Sequence, residues 1–430
     1  MYDWAISAFQ ATVAVAVFPI YFLQVAGAGV DGSLASQRYA VSNSVSIAIV
    51  ALLSPVLGAI ADYSAAKKRM LGLFLGLGVA SCGAMYFIQQ GDLTLAAVLF
   101  VLASVAAAAS TVFYEALLPH VARPHEVDRV SSAGYAIGYL GGGLLLAINL
   151  AWIMAPGTFG LPSGPDLTPS QQTLPVRLAF VSVGVWWLLF SLPLFRRVPE
   201  PPRVIAADES RRENPVRVAF VRLGETLTAL RGYREAFLML LAFLIYNDGI
   251  ATIQRMATAY GTEIGLPRDA LITAILLVQF IGVPCTLLFG LLAGRLGTKR
   301  TIFVGLGVYL VISVLGYYMQ TVTHFYVLAM LVGLVQGGTQ ALSRSLFATL
   351  IPKQKSGEFF GFYSVFNKFA GIFGPLLFAG VIARYQSSRP AILSVSVMFV
   401  AGAALLALVN VEAGERAARQ AEATLQPDPS

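Results

Sequence analysis

An all-α membrane protein of twelve transmembrane helices, arranged as two six-helix pseudo-repeats, is the fold class this sequence predicts. Three observations predict it. The 430 residues are 57% hydrophobic and only 12% charged, with a mean hydropathy of +0.73, whereas a soluble domain carries about 25% charged residues. Apolar segments of about 20 residues, enough to cross a bilayer as a helix, recur along the whole chain. A loop pattern in the first half returns in the second at an offset of 232 residues. This balance excludes an ordinary soluble enzyme, a disulfide scaffold and a disordered chain. Cys82 and Cys285 stand alone in apolar segments without CxxC spacing, so neither a zinc site nor a disulfide framework is supported.

The first span, 4–26, follows Met1-Tyr2-Asp3-Trp4 with no basic stretch and no cleavage pattern, which predicts a retained helix rather than a signal peptide. Spans follow at 40–61, 70–89, 93–118, 132–155, 177–195, 235–259, 269–293, 301–319, 324–350, 359–383 and 391–410. Each must be helical, because a backbone in lipid has to satisfy its polar groups within the segment. Gly and Pro inside several spans are tolerated better there than in soluble helices. The segment 156–176 contains five prolines and is expected to be irregular.

Orientation follows from lysine and arginine. With the N-terminus in the cytoplasm, 21 of the 29 basic residues fall in cytoplasmic segments, five in outer loops and three inside spans. This is a strong positive-inside bias. It predicts both termini in the cytoplasm and a multi-pass protein of the cell (inner) membrane. It also accounts for the net charge of +7, so no basic-aromatic surface is left to argue for nucleic acid.

The repeat divides the chain. Gly58 to Lys68 maps onto Gly290 to Arg300, and Leu118-Pro119, Gly138 and Gly141 map onto Ile351-Pro352, Gly371 and Gly374. Two matches at nearly one offset indicate a duplicated six-helix unit, a transporter architecture with a site between the halves. The expected domains are 1–195 and 235–411, joined by a cytoplasmic linker at 196–234 and followed by a polar cytoplasmic tail, 412–430. In the linker, Asn214 and Pro215 can start a helix. Its apolar spacing suits either an interfacial helix or one packed beneath the bundles.

The loop after the second span, with Gly58, Asp62, Lys67, Lys68 and Arg69, resembles the signature of the major facilitator superfamily. The second copy keeps Gly290, Arg295, Gly297 and Lys299 but has Gly294 in the aspartate position. Tyr2-Asp3-Trp4-Ala5, Phe18-Pro19-Ile20-Tyr21-Phe22, Tyr246-Asn247-Asp248-Gly249, Val335 to Ser345 and Glu358 to Tyr363 narrow the likeness. They resemble the bacterial branch related to the autophagy-linked vacuolar amino-acid effluxers. Glu115 departs from it, standing where an uncharged amide is expected. The resemblance implies the major facilitator fold. It also implies release of neutral amino acids into the cytosol, spans 1, 4, 7 and 10 around the cavity, and Asp62 at the cytoplasmic start of span 11.

Charge inside lipid marks the candidate machinery, since an ionisable group at that depth costs at least about 2.5–3.5 kcal/mol and needs a partner or water. Asp248 lies about 20 Å into span 7, near the midplane, which makes it a candidate proton carrier. Arg255 is seven residues on, on nearly the same face, and Gly249 could loosen the helix between them. The alternative is an Asp–Arg or Asp–Lys pair that only holds helices together. Gln336 and Gln340 in span 10, with Asn247 in span 7, can bind a zwitterion without charging an empty cavity; interhelical hydrogen bonding is the plainer role. Gly337-Gly338 between them permit close approach or a broken turn. Lys368 can neutralise Asp248 or meet a substrate carboxylate, or close an ion pair in one conformation. Glu115 and Arg344 are candidates for an inner gate. Asp3, Asp62, Lys67, Lys68 and Arg295 are gating or structural candidates, Asp3 at the positive end of span 1.

The expected function is secondary active transport of a small solute, a neutral amino acid by the resemblance, by alternating access with protons as coupling ion. Within the class the alternative is a drug or metabolite exporter; outside it, a receptor or lipid scramblase of the same fold. The expected partners are a small-molecule substrate, protons and the lipid bilayer, with no nucleic acid, for a monomer. No catalytic constellation, metal ligand set or cofactor motif is present, so no enzyme is expected.

Overall fold

The computed structural model describes residues 1–30, 32–201, 233–370, 373–385 and 387–424. The linker helix expected within 196–234 falls on residues 202–232 and lies outside them. Among the described residues the structure is helical throughout, with 11 helices long and apolar enough to cross a membrane and one shorter apolar helix, Leu376–Tyr385. In chain order the helices are α1 (Tyr2–Ala26), α2 (Gly32–Tyr63), α3 (Lys67–Ala84), α4 (Leu93–Val121), α5 (Val127–Met154), α6 (Pro169–Arg197) and α7 (Arg234–Glu263). Then come α8 (Arg268–Leu296), α9 (Thr298–Tyr317), α10 (Val322–Thr349), α11 (Ser356–Phe369), α12 (Phe373–Tyr385), α13 (Arg389–Leu408) and α14 (Val411–Thr424).

Four local features differ from the sequence expectation, each for a physical reason. Span 11 is two helices, because Ala370 turns to extended geometry (φ −60°, ψ 129°) and ends α11; Pro375, two residues into α12, has no N–H to continue a ladder. Span 6 starts at Pro169 instead of 177, since Thr168 and Gln171 form a reciprocal capping box that satisfies orphan amides at the helix start. Arg177 is thereby inside α6, where its guanidinium donates to the Ser170 carbonyl at 2.6 Å and the Tyr86 carbonyl at 3.2 Å. Span 1 contains π-helical stretches, Phe9–Ala16 and Phe22–Ala26. They flank Pro19, which has no N–H to donate to the helix. The tail beyond 410 is helical too: α14 buries Gly414 and Ala418, one turn apart, and turns polar residues outward.

The chain forms two compact units: Met1–Ser54, Ala66–Glu115 and Ile137–Glu200 in one, and Pro55–Ala65, Ala116–Ala136 and Pro201–Ser430 in the other. In the first, glycines let helices meet. A side chain at Gly141 would collide with the Trp4 carbonyl (2.7 Å) and one at Gly142 with the Ser7 carbonyl (2.7 Å), so the glycine series of α5 packs against α1. Lys68 straps α3 to the end of α6 through the Phe195 carbonyl at 3.1 Å and the Val198 carbonyl. In the second unit Gly402 of α13 packs on α7, where a side chain would lie 3.0 Å from the Tyr246 nitrogen. There α14 is held by Glu235, which accepts the Asn410 amide at 2.6 Å, and by Glu422, which accepts the Lys353 amide at 3.0 Å.

The repeat is also visible in the backbone. Ala65 ends α2 with φ 48°, and Gly297, its counterpart 232 residues on, ends α8 with φ 87°. A positive φ falls at the corresponding position of both loops, and only the first copy bears the Cβ penalty. Ala65→Gly is therefore expected to raise the thermal midpoint in detergent, gaining about 0.5–1 kcal/mol. Gly297→Ala is expected to lower it, at a cost of about 1–3 kcal/mol; thermal unfolding followed by size exclusion checks both.

Candidate functional site

The polar residues that sequence reasoning placed at membrane depth converge in the second unit. Helix α7 runs without a break, so Gly249 does not loosen it; a side chain there would meet the Phe399 ring at 2.9 Å. Asn247 and Asp248 are both buried in this helix, Asp248 completely. The Asn247 side-chain N–H donates to Asn367 Oδ1 on α11 at 2.9 Å, and its Oδ1 accepts from Gln340 Nε2 on α10 at 3.5 Å. The three amides form a ladder across α10, α7 and α11. Helix α10 is likewise continuous; its Gly338 provides close approach rather than a broken turn, with Phe289 Cγ 2.2 Å from where a Cβ would sit. Gln336 is half-buried, one turn from Gln340.

Asp248 points at the break in span 11. One carboxylate oxygen accepts the Gly374 amide of α12 at 2.9 Å. Gly374 also has no space for a side chain, because Thr252 Oγ1 would lie 1.8 Å from its Cβ. Thr252 in turn donates to the Asp248 carbonyl at 2.7 Å. The first amides of a helix have no intrahelical acceptor and carry its positive end. The carboxylate thus meets both needs where α12 begins. Helices α7 and α11 carry Arg255 and Lys368, whose side chains lie outside the described residues.

The gating and structural candidates lie on several helices. Asp62 accepts the Gly357 amide at 3.1 Å and the Glu358 amide at 2.8 Å, the first turn of α11. Arg344 donates to the Ser131 hydroxyl (2.9 Å) and carbonyl (3.0 Å) and lies 4.5 Å over the Tyr135 ring. Glu115 is buried in α4. Asp3 accepts the Tyr114 hydroxyl. Lys67 is buried and Arg295 exposed. Among the described residues no group of three or more His, Cys, Asp or Glu is placed to hold a metal ion.

Sequence reasoning missed three contributors: Asn367, the buried Tyr246–Ser343 hydroxyl pair (2.6 Å) and Asp128. Asn367 had a signal, an amide inside an apolar span beside Lys368. Asp128 had none, since it sits in a helix's first turn among charged loop residues.

This bundle of membrane-length helices, with Asn247, Asp248 and Glu115 buried within its spans, is that of a membrane transporter of the major facilitator superfamily. The proton:xylose symporter XylE superposes on it with a TM-score of 0.69 at 15% identity, over 95% of this chain and 94% of its own. The fucose:proton symporter FucP of E. coli gives 0.67 at 13% identity, over 95% and 96%. An uncharacterized MFS-type transporter, YxiO, of Bacillus subtilis is 35% identical over 421 residues, 98% of this chain and 96% of that protein. Autophagy-related protein 22-1 of Aspergillus niger is 28% identical over 317 residues, 67% of this chain. The chain spans about half the length (48%) of that fungal relative. The family model of vacuole effluxer Atg22-like proteins matches residues 25–419, and the chain belongs to that family.

Removal of the Asp248 carboxylate leaves a buried amide without its acceptor, which costs about 1–3 kcal/mol. Asp248→Ala is therefore expected to lower the thermal midpoint in detergent. Asp248→Asn keeps an oxygen acceptor and is expected to recover most of the loss. Equal midpoints for the two variants would show that the Gly374 contact contributes nothing.

Proposed function

We propose that this protein carries a small zwitterionic solute, a neutral amino acid, across the cell membrane by alternating access coupled to protons. The observation that carries this reading is the amide ladder Gln340–Asn247–Asn367 next to the buried Asp248. Amides donate to a carboxylate and accept from an ammonium without adding net charge. They suit a solute that is charged at both ends and neutral overall. A hydrophobic drug needs apolar walls instead. The name of the family, a vacuole effluxer, agrees with solute movement out of a compartment topologically outside the cytosol.

In this reading the six-helix halves of residues 1–195 and 235–411 rock about the site, joined by the linker 196–234. Both termini and the basic loops face the cytoplasm. Asp248 carries the proton. When ionised it is a strong acceptor for the Gly374 amide; protonation weakens that acceptor and loosens the start of α12. A proton is thereby tied to the break in span 11, and substrate bound on the ladder senses it through Asn247, the adjacent residue. Gln336 extends the ladder by one turn.

The test is transport by the purified protein in proteoliposomes with radiolabelled leucine. A pH gradient is expected to drive accumulation several-fold above equilibrium. Asp248→Asn is expected to abolish accumulation while retaining leucine exchange, because the substrate contacts remain. Asn247→Ala is expected to raise KM about ten-fold, the effect of losing one or two hydrogen bonds. Failure of leucine and every other neutral amino acid to move under any condition would refute the substrate reading. Unimpaired accumulation by Asp248→Asn would refute the carrier role.

A further inference from the structure

The two copies of the loop motif differ at one chemically decisive position. Asp62 in the first copy corresponds to Gly294 in the second. Both crossings are built on the corresponding glycine, although the positions met on the opposite helices are not repeat-equivalent. Gly58 lets α2 cross the start of α11, since a Cβ there would lie 2.1 Å from the Gly357 carbonyl oxygen. Gly290 lets α8 cross the start of α5, with the Ser132 Cβ 2.8 Å from where its own would sit. At the first crossing the Ser356 hydroxyl of α11 donates to the Ala116 carbonyl of α4 at 2.8 Å. At the second, the Ser131 hydroxyl of α5 donates to the Ala341 carbonyl of α10 at 2.7 Å. All of these residues lie in one compact unit.

The acid differs as well. Asp62 fastens the first crossing through two backbone amides, and Gly294 has nothing to offer the second. A carboxylate nevertheless sits there, supplied from the opposite helix. Asp128, in the first turn of α5, accepts the Thr298 hydroxyl at 2.6 Å and the Ser345 hydroxyl. Thr298 opens α9, and Ser345 is a fully buried residue of α10. The adjacent Arg344 binds Ser131, one turn along α5.

We infer that Asp128 is a latch, a positioning residue that supplies from α5 the acid missing at position 294 and holds α5 to α9 and α10 until this end opens. The inference rests on the alternating-access reading. The chemistry suits a contact made and broken in every cycle. A carboxylate with two hydroxyl donors forms charge-assisted hydrogen bonds, yet each time the contact closes only one charge has to leave water. A buried ion pair would have to desolvate two charges.

The test uses the full chain with Cys82 and Cys285 replaced by alanine and Gln340→Cys as reporter, in proteoliposomes of defined orientation. Gln340 lies nine residues inside the Thr349 end of α10. A membrane-impermeant maleimide is applied from the side that carries the Lys353 and Lys355 loop, or from the opposite side. Asp128→Ala and Thr298→Val are each expected to raise labelling from the Lys353 side about ten-fold and to lower it from the other. Combining them is expected to add nothing beyond Asp128→Ala alone. Thr298→Val removes one hydroxyl and keeps the shape, so it stays informative if Asp128→Ala folds poorly. A rise from both sides together means a loosened fold and overturns the latch. If Asp62→Ala shifts the two sides reciprocally and Asp128→Ala does not, the latch is wrong and alternating access stands. If no variant gives reciprocal changes, alternating access fails and the latch with it.

Discussion

A polar group at the depth of lipid tails has no water to bond with, and the arrangement of this protein follows from that constraint. Asp248 shows it most plainly. Its carboxylate is fully buried and meets the amide of Gly374, where span 11 is broken and a backbone N–H has no helical acceptor. Neither feature is tenable alone. A broken helix in lipid exposes amides at its second start, and a buried carboxylate needs donors. Placed against each other, they satisfy one another. The amide ladder of Gln340, Asn247 and Asn367 obeys the same rule with neutral groups.

The same logic governs the end that carries the basic loops, with a different solution at each helix crossing. Asp62 meets backbone amides and Asp128 meets hydroxyls. Both acids stand at the start of a helix or face one, where the dipole favours a negative charge. Glycines at 58 and 290 permit the crossings, and a positive φ follows at Ala65 and at Gly297. The two copies thus share the glycine but draw their acid from different helices.

Much of this was legible in the sequence, because hydropathy and spacing report directly on lipid. The spans, the repeat and the isolation of Asp248, Asn247 and Gln340 in apolar surroundings all follow from composition along the chain. The break in span 11 was not read, although Gly371, Gly374 and Pro375 stood there in the sequence. Gly and Pro recur in many spans, and Pro55, Pro193 and Pro284 sit inside continuous helices. What decides the outcome at Gly374 is a partner 126 residues away, which local pattern cannot reveal. Helix α14 was read only as a polar tail, since two small buried residues, Gly414 and Ala418, carry its docking instead of a hydrophobic stripe. Asp128 looked like one more surface charge. Its role depends on Thr298 and Ser345, which only the fold brings to it.

In the proposed cycle the ionised carboxylate of Asp248 holds the start of α12. Hydrogen–deuterium exchange of the Gly374 amide, corrected for its intrinsic rate, reads that contact directly. Strong protection is expected at alkaline pH, where the carboxylate is ionised, and a marked loss at acid pH as protonation weakens the acceptor. Low, pH-independent protection is expected in Asp248→Ala. Equal protection of the wild-type amide at both pH values, or undiminished protection in Asp248→Ala, would contradict this role of the carboxylate.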